Sequence, residues 1–121
     1  MTKDQLKKRT KDFSLNVFKF LMSLQKSKAV DVISYQLFKS SSSVASNYRA
    51  VCRGKSSSDF LNKLKIVDEE ADESLFWLEF IKGLEIQCDK DELEKLINES
   101  NELVAIFSSA IKTIKEKNNL K

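Results

Sequence analysis

Apolar residues recur every three or four positions along nearly the whole chain, and this spacing places them on one face of an α-helix. Polar and charged residues fill the positions between, so each segment has one apolar and one polar side. We therefore predict four amphipathic helices whose apolar stripes pack around a common core. The four stripes are Leu6, Phe13, Val17, Phe20 and Leu24; Val30, Ile33, Leu37, Val44, Tyr48 and Cys52; Phe60, Leu64, Val67, Ala71, Leu78 and Ile81; and Leu93, Leu96, Leu103, Phe107, Ala110, Ile111 and Ile114.

The breaks between the stripes carry signals for helix ends. The polar segment Gln25–Lys28 separates the first two stripes, and Gly54 stands where the second helix is expected to end in a left-handed residue. Ser56 and Asp89 are each followed three positions later by an acidic residue, a pattern typical of helix N-termini. Short connections make neighbouring helices antiparallel, so we predict an all-α fold, an antiparallel up-down-up-down four-helix bundle. The predicted single domain covers residues 1–121, with helices over 5–25, 29–53, 57–87 and 90–117.

The composition supports this fold class and excludes several kinds of site. Among 121 residues there is no proline and there are only two glycines, so the chain lacks the turn residues of a sandwich or barrel. There is no histidine, which excludes a Ser-His-Asp triad and histidine-ligated zinc, haem or di-iron sites. No glycine-rich phosphate loop or nucleophile–base pair is visible. We therefore expect no enzyme, no catalytic residue, no cofactor, no metal and no small-molecule substrate.

The distribution of uncharged residues predicts a soluble cytoplasmic protein. The N-terminal segment Met1–Asp12 is dense with charge, unlike a secretory signal. No uncharged run exceeds nine residues, the length of Ser40–Tyr48, whereas a membrane-spanning helix needs about 20. Cys52 and Cys88 are isolated in the sequence, so we interpret both as small apolar residues in a reducing compartment.

Two predicted helices carry more apolar surface than one core can bury. The segment Leu75–Ile81 has one polar residue in seven, so part of it must face away from the core stripe. The first helix has a second apolar strip behind its core stripe. We infer a self-association surface, because soluble monomers rarely expose such large patches, although loops or tails of the chain itself are an alternative cover. The predicted oligomer interface consists of Leu15, Phe18, Met22, Phe76, Trp77 and Phe80.

Charge is distributed unevenly along the chain. Residues 1–65 hold 14 basic and four acidic groups, whereas residues 66–121 hold seven basic and 14 acidic groups. The acidic half includes the run Asp68–Glu73. Such segregation indicates either an anion-binding face or complementary helices that pair within or between subunits. The candidate nucleic-acid contacts, which a solvated helix end would also explain, are Lys3, Lys7, Lys8, Arg9 and Lys11.

A polar network is predicted on the rims of the second and third helices. Asn47 and Arg49 flank Tyr48 on the second, and Glu70 and Glu73 lie beside the core stripe of the third. We predict a charge-assisted pair of Arg49 with one of these two glutamates, which would fix the register of the helices more than it stabilises them.

Four segments of the chain resemble the bacterial four-helix-bundle proteins, also called 23S rRNA intervening-sequence proteins. The central stretch Asp31–Phe60 contains Ser-Asn-Tyr-Arg, and Leu64–Glu79 contains Glu-Glu-Ala-Asp-Glu-Ser, in the order and spacing of that family. The opening Leu6–Phe13 and the late Asn101–Phe107 also fit, so the resemblance covers nearly the whole chain. The chief departure is serine at positions 40–42, because many relatives have Arg-Ser-Gly near these positions.

The resemblance implies an antiparallel four-helix bundle that assembles into a ring, most often a homopentamer. It does not imply an enzyme, because the family is named after insertions in ribosomal RNA genes where some of its genes lie. A related bundle is an accessory subunit of diversity-generating retroelements, in which a basic ring binds nucleic acid and a reverse transcriptase, but this chain resembles the intervening-sequence branch more closely. Two functions stay open: association with RNA or another nucleic acid through a basic rim, and a protein–protein scaffold or accessory subunit without nucleic acid.

Overall fold

The computed structural model describes residues 1–54 and 56–119, and these residues form a four-helix bundle. Each helix begins within two residues of its predicted start, and the predicted fold class is confirmed. No helix in the described part is long and apolar enough to cross a membrane. The helices are α1 (Lys3–Met22), α2 (Lys28–Val51), α3 (Ser57–Gly83) and α4 (Lys90–Asn119).

Side-chain caps fix where the helices begin. The hydroxyl of Ser56 accepts a hydrogen bond from the backbone N–H of Asp59, and the carboxylate of Asp89 accepts one from the N–H of Glu92. Both caps confirm the sequence signals. Thr2 caps α1 in the same way, and the side chain of Gln5 bonds back to the Thr2 backbone. These contacts satisfy amide groups that have no partner within the helix.

The prediction that Gly54 ends α2 in a left-handed conformation is wrong. Neither glycine of the chain has a positive φ angle, and α2 ends at Val51 with Cys52 still right-handed. The N–H groups of Arg53 and Gly54 instead bond to carbonyls three residues back, at 3.1 and 3.0 Å. These tighter turns satisfy the last carbonyls of α2, so no left-handed residue is needed.

The end of α3 also differs from the prediction. It lies at Gly83, four residues before the predicted end at 87. Glu85 is the positive-φ residue of the described chain, with φ of 55°, and it turns the backbone toward α4. The sequence has no glycine or asparagine at that position to signal the turn.

The helices pack in a square in chain order. α1 contacts α2 and α4, α3 contacts the same two helices, and α1 and α3 lie diagonally opposite each other. The predicted stripes form the core, with Phe13 and Phe107 among the largest fully buried side chains. The rings of Tyr48 and Phe107 meet across the core at 5.7 Å.

Buried serines line the contact between α2 and α3. Ser40 and Ser74 are fully buried, and their Oγ atoms lie 3.0 Å apart. Ser74 Oγ also lies 2.9 Å from the carbonyl oxygen of Glu70, within the same helix. The serine run at 40–43 is therefore a packing surface as well as a weakly polar one: its first two members are buried and the next two half-buried. The Ser40–Ser74 contact sets the register of α2 against α3.

We predict that Phe107→Ala lowers the free energy of unfolding by about 3–5 kcal/mol, because it leaves a cavity at a fully buried position. Ile66→Ala, on an exposed position of α3, is the control and should cost less than about 1 kcal/mol. Urea titration followed by circular dichroism measures both. Equal effects of the two substitutions would contradict the core assignment.

Candidate nucleic-acid interface

The N-terminal basic cluster divides between two sides of α1. Arg9 faces α4, where it makes a bidentate contact with Glu99: Nε donates to Oε2 at 2.7 Å and Nη2 to Oε1 at 2.6 Å. Nη2 also donates to Glu102 at 3.1 Å. Hydrogen bonds that the guanidinium donates to Glu99 and Glu102 raise the pKa of Arg9 above its ordinary value, although burial opposes this shift. Lys8 pairs with Asp12 at 2.7 Å. Arg9 and Lys8 therefore form their ion pairs within the chain.

Lys7 and Lys11 face α2 instead, on the same side as Arg49. These three cations line a groove of about 550 Å³ between α1 and α2, which we call the basic groove. Its other lining side chains are small or apolar, and none is acidic: Ser14, Leu15, Ser42, Ala45 and Ser46. The groove thus combines a cationic rim with a largely uncharged floor.

The predicted pairing of Arg49 with Glu70 or Glu73 is wrong, since no ion pair among the described residues joins them. Arg49 lies on the rim of α2 that faces α1, and the two glutamates lie on α3, next to the other rim. A helical pattern identifies two rims but does not say which neighbour each one faces. Asn47 lies on the other rim of α2, beside Ser43, which in turn contacts Glu70 of α3.

Asn47 joins a smaller polar network through Ser43. The Asn47 amide donates to the Ser43 carbonyl and hydroxyl oxygens at 2.9 and 2.7 Å. Burial, followed by repulsion from Glu73, raises the pKa of the Glu70 carboxyl, and a hydrogen bond with Ser43 opposes this shift. Trp77 Nε1 donates to Glu73 at 3.4 Å. Ser43, and not the predicted Arg49, is therefore the α2 residue that contacts Glu70 on α3.

The acidic run on α3 contains a second perturbed carboxyl group. Burial raises the pKa of Asp68, and the charges of Asp72 and Glu69 add to the shift. A hydrogen bond from Ser108 Oγ, at 3.1 Å, opposes it. Burial and the neighbouring carboxylates therefore disfavour the charged form of Asp68.

The predicted interface residues of α3 form an aromatic cluster on the surface. Phe76 and Phe80 are 51% and 43% exposed, and Trp77 is half-buried between them and the core. The three ring centres lie 4.9–5.8 Å apart. With Glu69, Asp72 and Glu73 one to two turns earlier on α3, they form the acidic–aromatic face of the molecule.

The predicted interface residues of α1 form a strip above the basic groove. Leu15 is 47% and Met22 72% exposed, whereas Phe18 is half-buried because its ring packs on Phe38 at 4.3 Å. We call these three residues of α1 the apolar strip. Four more exposed apolar residues were not identified from the sequence: Val32, Tyr35, Ile66 and Leu84. They are isolated positions outside the apolar stripes, so no pattern marks them.

Lys3 belongs to a different group of cations, at the end of the bundle where α1 and α3 begin and α2 and α4 end. Its Nζ lies 5.5 Å from the centre of the Phe60 ring. A cleft of about 450 Å³ at this end is lined by Phe60, Lys117 and the first residues of α3. We call the exposed cations here the basic end: Lys3, Arg53, Lys112, Lys115 and Lys117. The sequence reasoning missed four of the five because they are far apart along the chain.

The described residues hold no group of three or more Cys, Asp or Glu side chains that could bind a metal ion. Cys52 and Cys88 are both free, partly buried thiols, and burial raises the pKa of the Cys88 thiol.

Comparison with known proteins identifies relatives of this bundle. A family model described as 23S rRNA-intervening sequence protein matches residues 2–109. One solved structure, with a TM-score of 0.79 and 31% identity, is a protein of unknown function from the S23 ribosomal protein family of Bacteroides thetaiotaomicron VPI-5482. The match covers 93% of this chain and 99% of that one. No curated protein matches the chain.

We predict that Arg9 and Glu99 are energetically coupled, because their contact is bidentate and half-buried. A double-mutant cycle of Arg9→Met and Glu99→Gln should give a coupling energy of about 1 kcal/mol in urea unfolding. The exposed pair Lys8–Asp12 is the control and should give less than about 0.5 kcal/mol. Similar values for the two pairs would show that burial does not strengthen the Arg9 contact.

We predict that Asp68→Asn stabilises the bundle at neutral pH. A raised carboxyl pKa means that the folded state binds the proton more tightly, so stability falls as pH rises through that pKa. The substitution should raise Tm by about 1–2 °C at pH 7, and the gain should vanish near pH 3, where aspartate is itself protonated. Glu79→Gln, an equal loss of charge on exposed α3, is the control. A lower Tm for Asp68→Asn at pH 7 would contradict the prediction.

Proposed function

The chain belongs to the 23S rRNA-intervening sequence protein family, and from this premise we propose that it is a non-enzymatic bundle that assembles with copies of itself and binds RNA phosphates through its basic end. The family and the similar solved structure are of unknown function, so the proposal rests on the surface of this chain. The observation that carries it is the convergence of five exposed cations from α1, the α2–α3 connection and α4.

The balance of charge at the basic end supports an anionic partner. None of its five cations takes part in an ion pair among the described residues. The nearby carboxylates, apart from Asp59 in its pair with Lys63 at 3.4 Å, are Asp4 and Glu116. The end is therefore positively charged even though the whole chain carries only +3. Such a surface attracts nucleic acid without reading its sequence.

The side chains at the basic end favour contact with the backbone over contact with bases. Four of the five cations are lysines, which act as point charges and lack the planar fork that reads guanine. The nearest aromatic ring, Phe60, is covered by Lys3. The exposed rings Phe76 and Phe80 lie toward the other end of α3, where an oligomer interface accounts for them. Stacking of bases is therefore not part of the proposal.

Self-assembly makes this weak site effective. The described part of one subunit offers five cations at this end, whereas a ring presents several basic ends to one RNA, which raises the apparent affinity through multivalency. The family resemblance implies five copies, and such a ring would carry a formal charge of +15. The exposed aromatic cluster of α3 and the apolar strip of α1 support the association.

A non-enzymatic role is supported by the position of the perturbed carboxyl groups. Asp68 and Glu70 are half-buried at the contacts of α3 with α4 and α2, beside Ser108 and Ser43, and burial is the main cause of their raised pKa values. A general acid or base acts where substrate can be held beside it and water excluded. These carboxyl groups lack such surroundings.

We predict that Lys112→Gln/Lys115→Gln/Lys117→Gln weakens binding of a structured 23S rRNA fragment at least tenfold at about 50 mM salt. Each lost phosphate contact should lower the slope of log K against log salt by about 1. Fluorescence anisotropy at about 50 and 200 mM salt measures both quantities. A matched triple variant at the other end of the bundle, Lys26→Gln/Lys28→Gln/Lys90→Gln, carries the same net charge and should bind like the unmodified chain.

Equal losses in the two triple variants would mean that only net charge matters, and would overturn the assignment of the basic end. No binding by the unmodified chain at either salt concentration would favour the second function, a protein scaffold or accessory subunit. The acidic–aromatic face is the observation that supports this alternative.

A further inference from the structure

We propose that copies of this chain assemble side by side and in parallel, with the acidic–aromatic face of α3 on one copy docked against the basic groove and apolar strip of the next. This inference rests on the self-association proposed above and names the two surfaces that form the contact. The occupant of each surface is a second copy of the same chain.

The acidic–aromatic face is poorly suited to pairing with itself. In a parallel pair its rings would bury apolar area, but Glu69, Asp72 and Glu73 would meet the same carboxylates of the partner. In an antiparallel pair these carboxylates would face the partner's rings and would have no cation opposite them. Burial and mutual repulsion already raise the pKa values of the neighbouring Asp68 and Glu70 within one subunit. A symmetric α3–α3 contact would add further like charges without compensation. The face therefore needs a partner surface that is apolar and basic.

The same molecule carries such a surface on its other side. The basic groove presents Lys7, Lys11 and Arg49 around an uncharged floor, and the apolar strip continues it along α1. Because α1 and α3 lie diagonally opposite each other in the bundle, both surfaces are available at the same time. Contact between two different surfaces is heterologous, and it closes into a ring when the rotation between copies is suitable.

Two contacts within the subunit show that the surfaces match in height. Ser40 lies beside Ser74, which puts α2 and α3 in register, and Phe18 packs on Phe38, which puts α1 and α2 in register. Since α2 is antiparallel to both neighbours, Phe38 is level with Phe76. Phe18 is therefore level with Phe76 as well.

The rest of the match follows by counting along α1 and α3, which run in the same direction. Four residues further on, Met22 is level with Phe80. Seven residues before Phe18, Lys11 is level with Glu69. Lys7 and Arg49 lie about one turn lower, roughly 6 Å, which long basic side chains can span.

Parallel copies consequently place apolar against aromatic and basic against acidic groups over the same stretch of helix. An antiparallel arrangement would instead set the acidic part of α3 against the apolar strip. The parallel arrangement also brings every basic end to one side of the assembly, as the proposed RNA contact requires.

Charge reversal on each surface tests the proposal. The groove variant is Lys11→Glu/Arg49→Glu, and the α3 variant is Glu69→Lys/Asp72→Lys; all four positions are exposed, so the fold should persist. Light scattering should show that each variant falls to the subunit mass of 13.9 kDa, with unchanged circular dichroism. Lys26→Glu/Lys90→Glu, a matched reversal away from both surfaces, should keep the oligomer.

Two recombinations make the test specific. Combining all four substitutions in one chain restores opposite charges across the contact and should restore the oligomer. An equimolar mixture of the groove and α3 variants should also assemble, because each supplies the surface that the other needs. Oligomeric mass in either single-surface variant, or a folded four-substitution chain that remains at 13.9 kDa, would overturn the pairing.

The unmodified chain separates this inference from the proposed function. If it has the subunit mass at about 0.1 mM, self-association and the docking both fail, whereas RNA binding by the basic end is decided separately by the lysine variants. If it is oligomeric and neither single-surface variant dissociates, self-association stands and the assignment of surfaces fails.

Discussion

A helix in a four-helix bundle has one inward face, and most other features of this molecule follow from that constraint. The four apolar stripes fill the inward faces, and Phe13, Leu37, Val67 and Phe107 are fully buried there. Any apolar residue beyond the stripe must remain outside. That is why Phe76 on α3 is exposed although its neighbours in sequence pack against the core.

The same constraint explains how the chain uses its charges. Ion pairs lie on the seams and outer surfaces, where Arg9 ties α1 to α4 through Glu99 and Lys82 meets Glu94 between α3 and α4. The α2–α3 seam uses serine hydroxyls, which satisfy each other at short range in a buried position. Small side chains let the helices pack closely there, whereas the α1–α4 seam has room for a guanidinium and a carboxylate.

The outline of the fold could be predicted because stripes and caps are local. Ser56 and Asp89 cap the helices that their sequence context indicates, and nearly every residue of the predicted stripes is buried. The predictions that failed concern where a side chain or a turn is directed, and not the apolar pattern along the helices. Arg49 lies on a rim that can be read from the sequence, but its neighbour depends on the handedness of the bundle. The left-handed residue is Glu85 rather than Gly54, because the turns after α2 are satisfied by carbonyls three residues back.

The candidate surfaces were harder to predict because they join residues from several helices. The first half of the chain is basic and the second half is acidic. Because α1 and α3 lie diagonally opposite each other, this difference along the sequence becomes a difference between opposite sides of the bundle. The net charge of +3 conceals this difference, since opposite faces nearly cancel. The proposed docking depends on the level of each charge along the helix axis. Lys11 and Glu69 share a level, as do Met22 and Phe80, and in the proposed parallel assembly a neighbouring copy would meet both matches at once.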